Sequence, residues 1–198
     1  MSESRRGLAY GIIAYGLWGI APLYWKLLGD VSPVEILAHR VVWGVLAFVA
    51  IAWAVGVVPA VRGALGDLRT AAMMVLSGAL LVVNWGVFVD AVTTGHLLDA
   101  SLGYFIIPLL SVGLGMLVLR ERLRRLQWIA IGFAAIGVAI QTWRAGHLPW
   151  ISVVLAGSFA AYGLIRKVAR VESLAGSTLE TALLLPLAIG YLAILEAR

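Results

Sequence analysis

Long apolar segments, separated by short polar connectors, fill almost the whole chain. Each is about 18 residues or longer, the length that a helix needs to cross the hydrocarbon core of a bilayer. The seven segments cover residues 7–28, 33–58, 70–93, 98–119, 126–143, 149–168 and 177–195. The pattern predicts an all-α fold, a polytopic bundle of about seven transmembrane helices. Because the connectors are short, we expect successive helices to be antiparallel neighbours.

The composition supports a membrane protein and argues against several other classes. Hydrophobic residues make up 62% of the 198 positions and charged residues 13%, with a mean hydropathy of +0.99, whereas soluble domains are about half apolar and a quarter charged. The net charge of +5 comes from basic residues in short connectors, so we predict contact with lipid rather than with nucleic acid. The sequence has no cysteine and no zinc, nucleophile or phosphate-loop motif, so we predict no enzyme activity, metal or cofactor.

The basic residues of alternate connectors predict the orientation of the chain. With the N-terminus in the cytoplasm, eleven Lys and Arg residues fall in cytoplasmic segments and three in outer segments. The eleven are Arg5, Arg6, Arg62, Arg69, Arg120, Arg122, Arg124, Arg125, Arg166, Lys167 and Arg170, and the three are Lys26, Arg144 and Arg198. Cytoplasmic connectors carry the excess of positive charge in membrane proteins. We therefore predict a multi-pass protein of a bacterial-type cytoplasmic membrane, with its N-terminus inside.

An internal repeat relates the beginning of the chain to its end. The tetrapeptide Ala-Tyr-Gly-Leu occurs at residues 14–17 and 161–164, and Ser-x-x-Glu occurs at residues 32–35 and 177–180. The two offsets, 147 and 145, nearly agree, so each pair occupies the same place in a helix–connector–helix unit. Five spans separate the two copies, so the second copy enters the membrane from the opposite side. Inverted repeats of this kind are typical of secondary transporters, whose substrate site lies between the repeats.

The repeat divides the chain into two units. Residues 1–147 are predicted to form a first five-helix unit, and residues 148–198 the first two helices of a second, inverted unit. A second unit as long as the first would end at about residue 290. We therefore expect a C-terminally truncated form of a ten-helix protein. A natural short form that needs a partner chain is the alternative.

Three ionisable residues near the start of the second span are candidates for a substrate pathway. Glu35, His39 and Arg40 lie within two turns of one another, and Arg40 lies about 10 Å into the helix. A charge inside the membrane costs about 2.5–3.5 kcal/mol on insertion scales, so Arg40 is expected to face protein, water or an anion. Ser32 and Glu35 also fit a helix capping box, so a structural role for Glu35 is the competing interpretation, and Glu180 shares it.

The remaining candidates are one basic, one amide and four aromatic side chains. Lys26 ends the first span, and Asn84 and Trp85 lie in the middle of the third. A mid-membrane asparagine usually bonds to another helix, so a structural role competes with substrate contact. Asp90 and Asp99 lie close to the membrane surface, where solvation accounts for them. The other aromatic candidates, which would give shape and hydrogen bonds, are Tyr24, Tyr104 and Tyr162.

Several ordered motifs resemble the RarD branch of the EamA-type drug/metabolite transporters. They are Trp18–Lys26, Glu35–Arg40, Asn84–Trp85, Ser101–Leu109, Glu121–Leu123, Ser158–Lys167, Glu180–Thr181 and Pro186. The resemblance implies a ten-helix inner-membrane permease built from two inverted five-helix units, with both termini cytoplasmic, in a family linked by name to chloramphenicol sensitivity. Asp90 stands where that family usually has Trp, and Ile107 where it usually has Asn. The counterparts of the family's last three helices are missing from this sequence.

The repeat, the orientation and the resemblance lead to one functional hypothesis. We expect a permease that moves a small organic solute, anionic or zwitterionic, by alternating access. Its cavity would be lined by spans one, two, three, four and six. The alternative is a non-transporting membrane scaffold or subunit that needs a partner chain. Either protein would be compatible with a homo-oligomer.

Overall fold

The computed structural model describes residues 3–28, 31–146 and 149–197, and these residues form eight helices and no strand. The helices are α1 (Glu3–Leu27), α2 (Pro33–Val55), α3 (Val58–Gly66), α4 (Leu68–Thr93), α5 (Leu97–Leu119), α6 (Arg125–Ala145), α7 (Trp150–Ala169) and α8 (Ser173–Glu196). Seven of them, all but α3, are long and apolar enough to cross a membrane. The predicted all-α bundle of about seven spans is confirmed. The predicted boundary between the two units, and Arg198, lie outside the described residues.

The short helix α3 was not predicted, because residues 59–69 were expected to form a connector and the second span was extended to residue 58. Gly56 ends α2 with a φ of 80°, in the left-handed region that favours glycine, and its amide donates to the carbonyl of Trp53 at 3.2 Å. Pro59 follows in the first turn of α3, where a missing amide proton costs nothing. The chain therefore turns before residue 58, and α3 packs against α4 and α8.

Asp67 caps the start of α4, outside the membrane span. Its carboxylate accepts hydrogen bonds from the Thr70 hydroxyl at 2.5 Å and from the Thr70 amide at 3.0 Å. These bonds favour the charged form, the hydroxyl bond most, and so lower the pKa of Asp67. The cap therefore stabilises the fold fully above the ordinary carboxyl pKa, and this contribution is lost as the pH falls through the lowered value.

Helix α4 is the centre of the bundle. It packs against α1, α2, α3, α5, α7 and α8. The side-chain amide of Asn84 donates to the carbonyl of Leu155 at 2.8 Å and to the hydroxyl of Ser158 at 2.9 Å. Both acceptors belong to α7, which confirms the predicted bond between Asn84 and another helix. Because no water is at hand in a bilayer core to replace such bonds, they hold α7 against α4.

Helices α5 and α7 run parallel and pack closely. The Ser152 hydroxyl donates to the carbonyl of Asp99 at 2.5 Å, near the first turns of both helices. One turn further along α5, a Cβ on Gly103 would lie 3.1 Å from the Cβ of Leu155 and 3.2 Å from the carbonyl oxygen of Ser152. The absence of a side chain at Gly103 therefore sets the distance between the two helices, as small residues do in membrane bundles.

Helices α2 and α8, which carry the two copies of the Ser-x-x-Glu motif, run antiparallel. A Cβ on Gly44 of α2 would lie 3.4 Å from the side chain of Thr181 on α8. Val34, in the first turn of α2, lines the same cavity as Tyr191, near the end of α8. This is the relative direction that an inverted repeat requires. The division of the chain into two units itself stays a prediction.

The prediction that successive helices are neighbours is right for some pairs and wrong for others. Helix α4 packs against α5, and α5 against α6, but α7 packs mainly against α4 and α5, and α8 mainly against α2 and α4. The last two helices thus insert among the earlier ones, because their bonding partners lie there. By contrast, α1 and α6 are largely exposed.

Replacing Gly103 by Val should destabilise the protein by about 1–3 kcal/mol, the usual cost of overpacking a tight contact. The matched control is Gly113→Val on the same helix, where an added Cβ meets no atom within 4 Å. Thermal unfolding of the two variants in detergent micelles measures the difference. Equal losses of stability from both substitutions would contradict the close approach of α5 and α7.

Candidate functional site

Arg40 of α2 lies with its guanidinium stacked on the indole ring of Trp85 from α4. The guanidinium carbon is 3.3 Å from the ring centroid, and Trp85 is only 8% exposed. The residue Arg40 itself is exposed, and cation–π contacts at exposed sites are worth about 0.5–1 kcal/mol. Arg40 thus contacts protein through Trp85, one of the surroundings predicted for it, while the residue as a whole is exposed.

Arg40 and Trp85 also line a cavity of about 340 Å³ between α2, α4 and α8. Apart from these two, the only polar lining residue among those described is Thr181 of α8. Arg40 forms no ion pair with any residue in the described ranges. A mostly apolar cavity of this size with one placed charge is typical of a site for a small ligand.

A cluster of aromatic rings extends from Trp85 toward α1 and α5. Trp85 packs edge-on against Trp18 and Trp25, with ring centroids 4.9 and 5.4 Å apart. Phe88 joins Trp25 to Tyr104 with edge-on contacts of 5.5 and 5.8 Å. Each such pair stabilises by about 0.5–1.5 kcal/mol beyond its buried area. The cluster holds the Trp85 ring in place beneath Arg40.

Tyr104, one of the predicted aromatic residues, thus joins the aromatic cluster of Trp85 through Phe88. Tyr162 instead packs against Phe159 on its own helix, α7, with ring centroids 5.8 Å apart. Nowhere in the described part of the chain do three His, Asp or Glu side chains come close enough to hold a metal ion. What the site offers is a cation beside aromatic faces.

Seven of the nine predicted pathway residues do not line this cavity: Asn84, Tyr104 and Tyr162, described above, and four others. Tyr24, Lys26 and His39 are exposed, and Glu35 is half-buried. The predicted capping box is wrong, because the N-cap residue of α2, Ser32, makes no side-chain capping hydrogen bond. Proline in the first turn already presets the helical backbone and removes one unpaired amide.

A group of polar side chains that the sequence reasoning missed links α4, α7 and α8. The Ser77 hydroxyl donates to Oε1 of Glu180 at 2.5 Å, and Nη1 of Arg166 lies 3.5 Å from the same oxygen. Arg166 also donates to the carbonyl of Ser173 at 3.1 Å and packs onto Gly176, where a Cβ would overlap the guanidinium. The side chains of Glu180 and Arg166 are 3% and 14% exposed. We call Ser77, Arg166 and Glu180 the polar cluster.

The interpretation of Glu180 as a helix cap is wrong. Helix α8 begins at Ser173 rather than at residue 177, so Glu180 lies two turns inside it. The signal that points to a buried pair is the isolation of this carboxylate in an apolar span, where an acid needs a partner. Arg166, near the end of the preceding span, supplies that partner.

The next residue of α7 makes a second ion pair. Lys167 contacts Glu121 in the connector between α5 and α6, and both side chains are about half exposed. Arg166 and Lys167 thus tie the end of α7 to α4 and α8 on one side and to this connector on the other. Both ion pairs lie at the end of the bundle that carries connector 120–124, which we call the arginine-rich end.

Replacing Glu180 by Gln should lower stability by about 3–5 kcal/mol, because it leaves Arg166 buried without its counter-charge. The control Glu121→Gln breaks the exposed pair with Lys167 and should cost about 0–1 kcal/mol. Thermal unfolding in micelles compares them. The double variant Arg166→Met/Glu180→Leu should recover much of the loss. Equal small effects of Glu180→Gln and Glu121→Gln would argue against a buried pair.

Comparisons with known proteins identify similar transporters. The chain is 49% identical over 194 residues to an uncharacterized transporter of Pseudomonas aeruginosa, a match that covers 95% of this chain and 63% of that protein. It is 46% identical over 205 residues to protein RarD of Streptomyces exfoliatus, covering 100% and 62%. It is 33% identical over 196 residues to the chloramphenicol-sensitive protein RarD of Pseudomonas aeruginosa, covering 97% and 66%.

The chain thus spans a little less than two thirds of the length of these relatives. No solved structure matches it. The sequence pattern of the EamA-like transporter family matches residues 5–143, most of the chain. With the RarD-type relatives, this match settles the classification: the chain belongs to the EamA-like transporter family and is of the RarD type.

Proposed function

We propose that this chain acts as a permease of the bacterial cytoplasmic membrane and moves a small anionic or zwitterionic organic solute by alternating access. Family membership supports membrane transport. The observation that carries the proposal for the solute is Arg40, stacked on Trp85 at the wall of a cavity between membrane-spanning helices.

The charge of Arg40 supports a solute that carries an anionic group. An arginine inside a membrane span is costly and marks a functional path unless a carboxylate neutralises it. Its contact with Trp85 is with an uncharged ring, and no described carboxylate lies within ion-pair distance. A guanidinium can bind a carboxylate or phosphate through two parallel hydrogen bonds. Thr181, on another wall of the cavity, adds a hydroxyl that could bond to the same solute.

The proposed orientation places Arg40 in the outer half of the membrane and the polar cluster in the inner half. Excess basic residues at the arginine-rich end support a cytoplasmic location for that end. Arg40 lies seven residues after the start of α2, and Glu180 seven residues after the start of α8. At 1.5 Å per residue, each lies about 10 Å from its own surface.

Alternating access follows from the difference between the two halves. In the inner half, the polar cluster and the Lys167–Glu121 pair hold α7 to its neighbours, which supports a closed inner side in this arrangement. In the outer half, Arg40 lines a cavity and pairs with no carboxylate of the described residues. On this proposal, the inverted units 1–147 and 148–198 rock against each other, and opening the inner side requires α7 to release both ion pairs.

Uptake by proteoliposomes that contain the chain tests the role of Arg40. Radiolabelled organic acids, amino acids and chloramphenicol are suitable solutes. Arg40→Gln should raise the half-saturation concentration for the anionic or zwitterionic solute about tenfold or more, because one charged hydrogen bond is worth about 1.5–3 kcal/mol. Arg40→Lys should keep part of the activity. The control is Arg62→Gln, which removes a charge from α3, away from the cavity.

Two results would contradict the proposal. If Arg40→Gln transports every accepted solute like the parent chain, Arg40 has no part in the mechanism. If the parent chain moves no solute in vesicles but crosslinks to a different protein in native membranes, the scaffold alternative replaces the permease. The exposed surface of α1 offers room for such a partner.

A further inference from the structure

Helices α5 and α6 enclose a groove that the transport proposal does not use. Helix α6 packs mainly against α5 among the described helices, and none of its residues is buried. Two cavities of about 430 and 450 Å³ lie between the pair. They share three lining residues, Leu98, Leu102 and Gln141, so they form one continuous groove.

The two parts of the groove differ in polarity. The deeper part is apolar and lies between Phe105 of α5 and Val138 of α6. The part at the start of α5 and the end of α6 is lined by His96, Asp99 and Arg144. An apolar slot with a charged mouth matches an amphiphile that has a hydrocarbon tail and an ionic head.

The charges at the mouth are of opposite sign and stand on opposite walls. Asp99 belongs to the first turn of α5 and Arg144 to the last turn of α6. Neither forms an ion pair with the other or with any other residue in the described ranges. A headgroup with a phosphate and an amine could bond to both walls at once, the phosphate to Arg144 and the amine to Asp99.

The groove opens away from the core of the bundle. The opposite face of α5, at Gly103, packs tightly against Leu155 of α7, and α6 has no second large partner among the described helices. Since none of these helices covers the open side of the groove, it is accessible to lipid when they span the membrane. The groove and the cavity at Arg40 share no lining residue.

We infer that the groove is a binding site for one phospholipid with a zwitterionic, amine-bearing headgroup such as phosphoethanolamine. One acyl chain lies between Phe105 and Val138, and the headgroup bridges Arg144 and Asp99. With the orientation proposed above, the lipid comes from the outer leaflet. This site requires the chain to span the membrane but does not depend on whether it transports a solute.

Native mass spectrometry of the detergent-purified chain tests the site. The probes are palmitoyl-oleoyl phosphatidylethanolamine and, for comparison, the phosphatidylglycerol with the same acyl chains. We expect one retained phosphatidylethanolamine, bound about tenfold more tightly than phosphatidylglycerol, because only the amine can pair with Asp99. Asp99→Asn should remove this preference, and Arg144→Gln should weaken the binding of both lipids.

The glycines of α6 provide a matched pair of variants. Gly137 lines the groove, and Gly132, one helix turn and a half earlier, does not. A Cβ at either position meets no atom within 4 Å, so both variants should fold alike. Gly137→Leu fills the groove and should reduce phosphatidylethanolamine binding about tenfold, whereas Gly132→Leu should leave it unchanged.

Three outcomes would overturn the inference. Equal lipid binding by Gly137→Leu and Gly132→Leu would show that the groove is not the binding site. Equal binding of the two lipids by the parent chain would show that Asp99 does not contact the headgroup. A dimer in the same spectra that Gly137→Leu dissociates would assign the groove to a second copy of the chain.

Discussion

A polar side chain within the hydrocarbon core of a bilayer can bond only to protein, and the arrangement of this bundle depends on that constraint. Helix α4 provides the main partners. Asn84 bonds to α7, and Ser77 bonds to Glu180 of α8. Apolar faces gain little by meeting each other in lipid, since the tails are as apolar as they are. The polar bonds are therefore what places α7 and α8 among the first helices instead of beside α6.

The same constraint separates the structural charges from the one that we assign to transport. Arg166 and Arg40 both lie inside membrane-spanning helices, at opposite ends of the bundle. Arg166 is neutralised by Glu180 within 3.5 Å, whereas Arg40 meets the face of Trp85 and a cavity. A buried pair of charges joins helices and fixes one arrangement. A charge that faces an open cavity keeps its bonding capacity for a solute, and this is why the cavity wall at Arg40 carries the functional proposal.

Features that depend on one segment alone could be predicted from the sequence, and features that depend on which helices meet could not. Hydropathy alone predicted the seven spans. An unpaired amide in lipid costs free energy, and this indicated that Asn84 bonds to another helix. Helix α3 was missed because residues 59–69, between the second and third predicted spans, were expected to form only a connector. Glu180 was misread as a cap because its local motif matched that of Glu35, and only the packing of α4, α7 and α8 reveals Arg166 and Ser77 beside it. The cavities could not be predicted either, because their positions also depend on which helices pack together.

The central claim is that α7 and α8 enter the membrane from the side opposite to α1 and α2 and interlock with them. The N-cap residues of α2 and α8, Ser32 and Glu172, are exposed and make no side-chain capping bond. The chain has no cysteine, so Ser32→Cys and Glu172→Cys each introduce a single thiol. A membrane-impermeant maleimide should label the thiol at position 32 in intact cells, and the thiol at position 172 only after the membrane is permeabilised. Labelling of both from the same side would contradict the inverted arrangement.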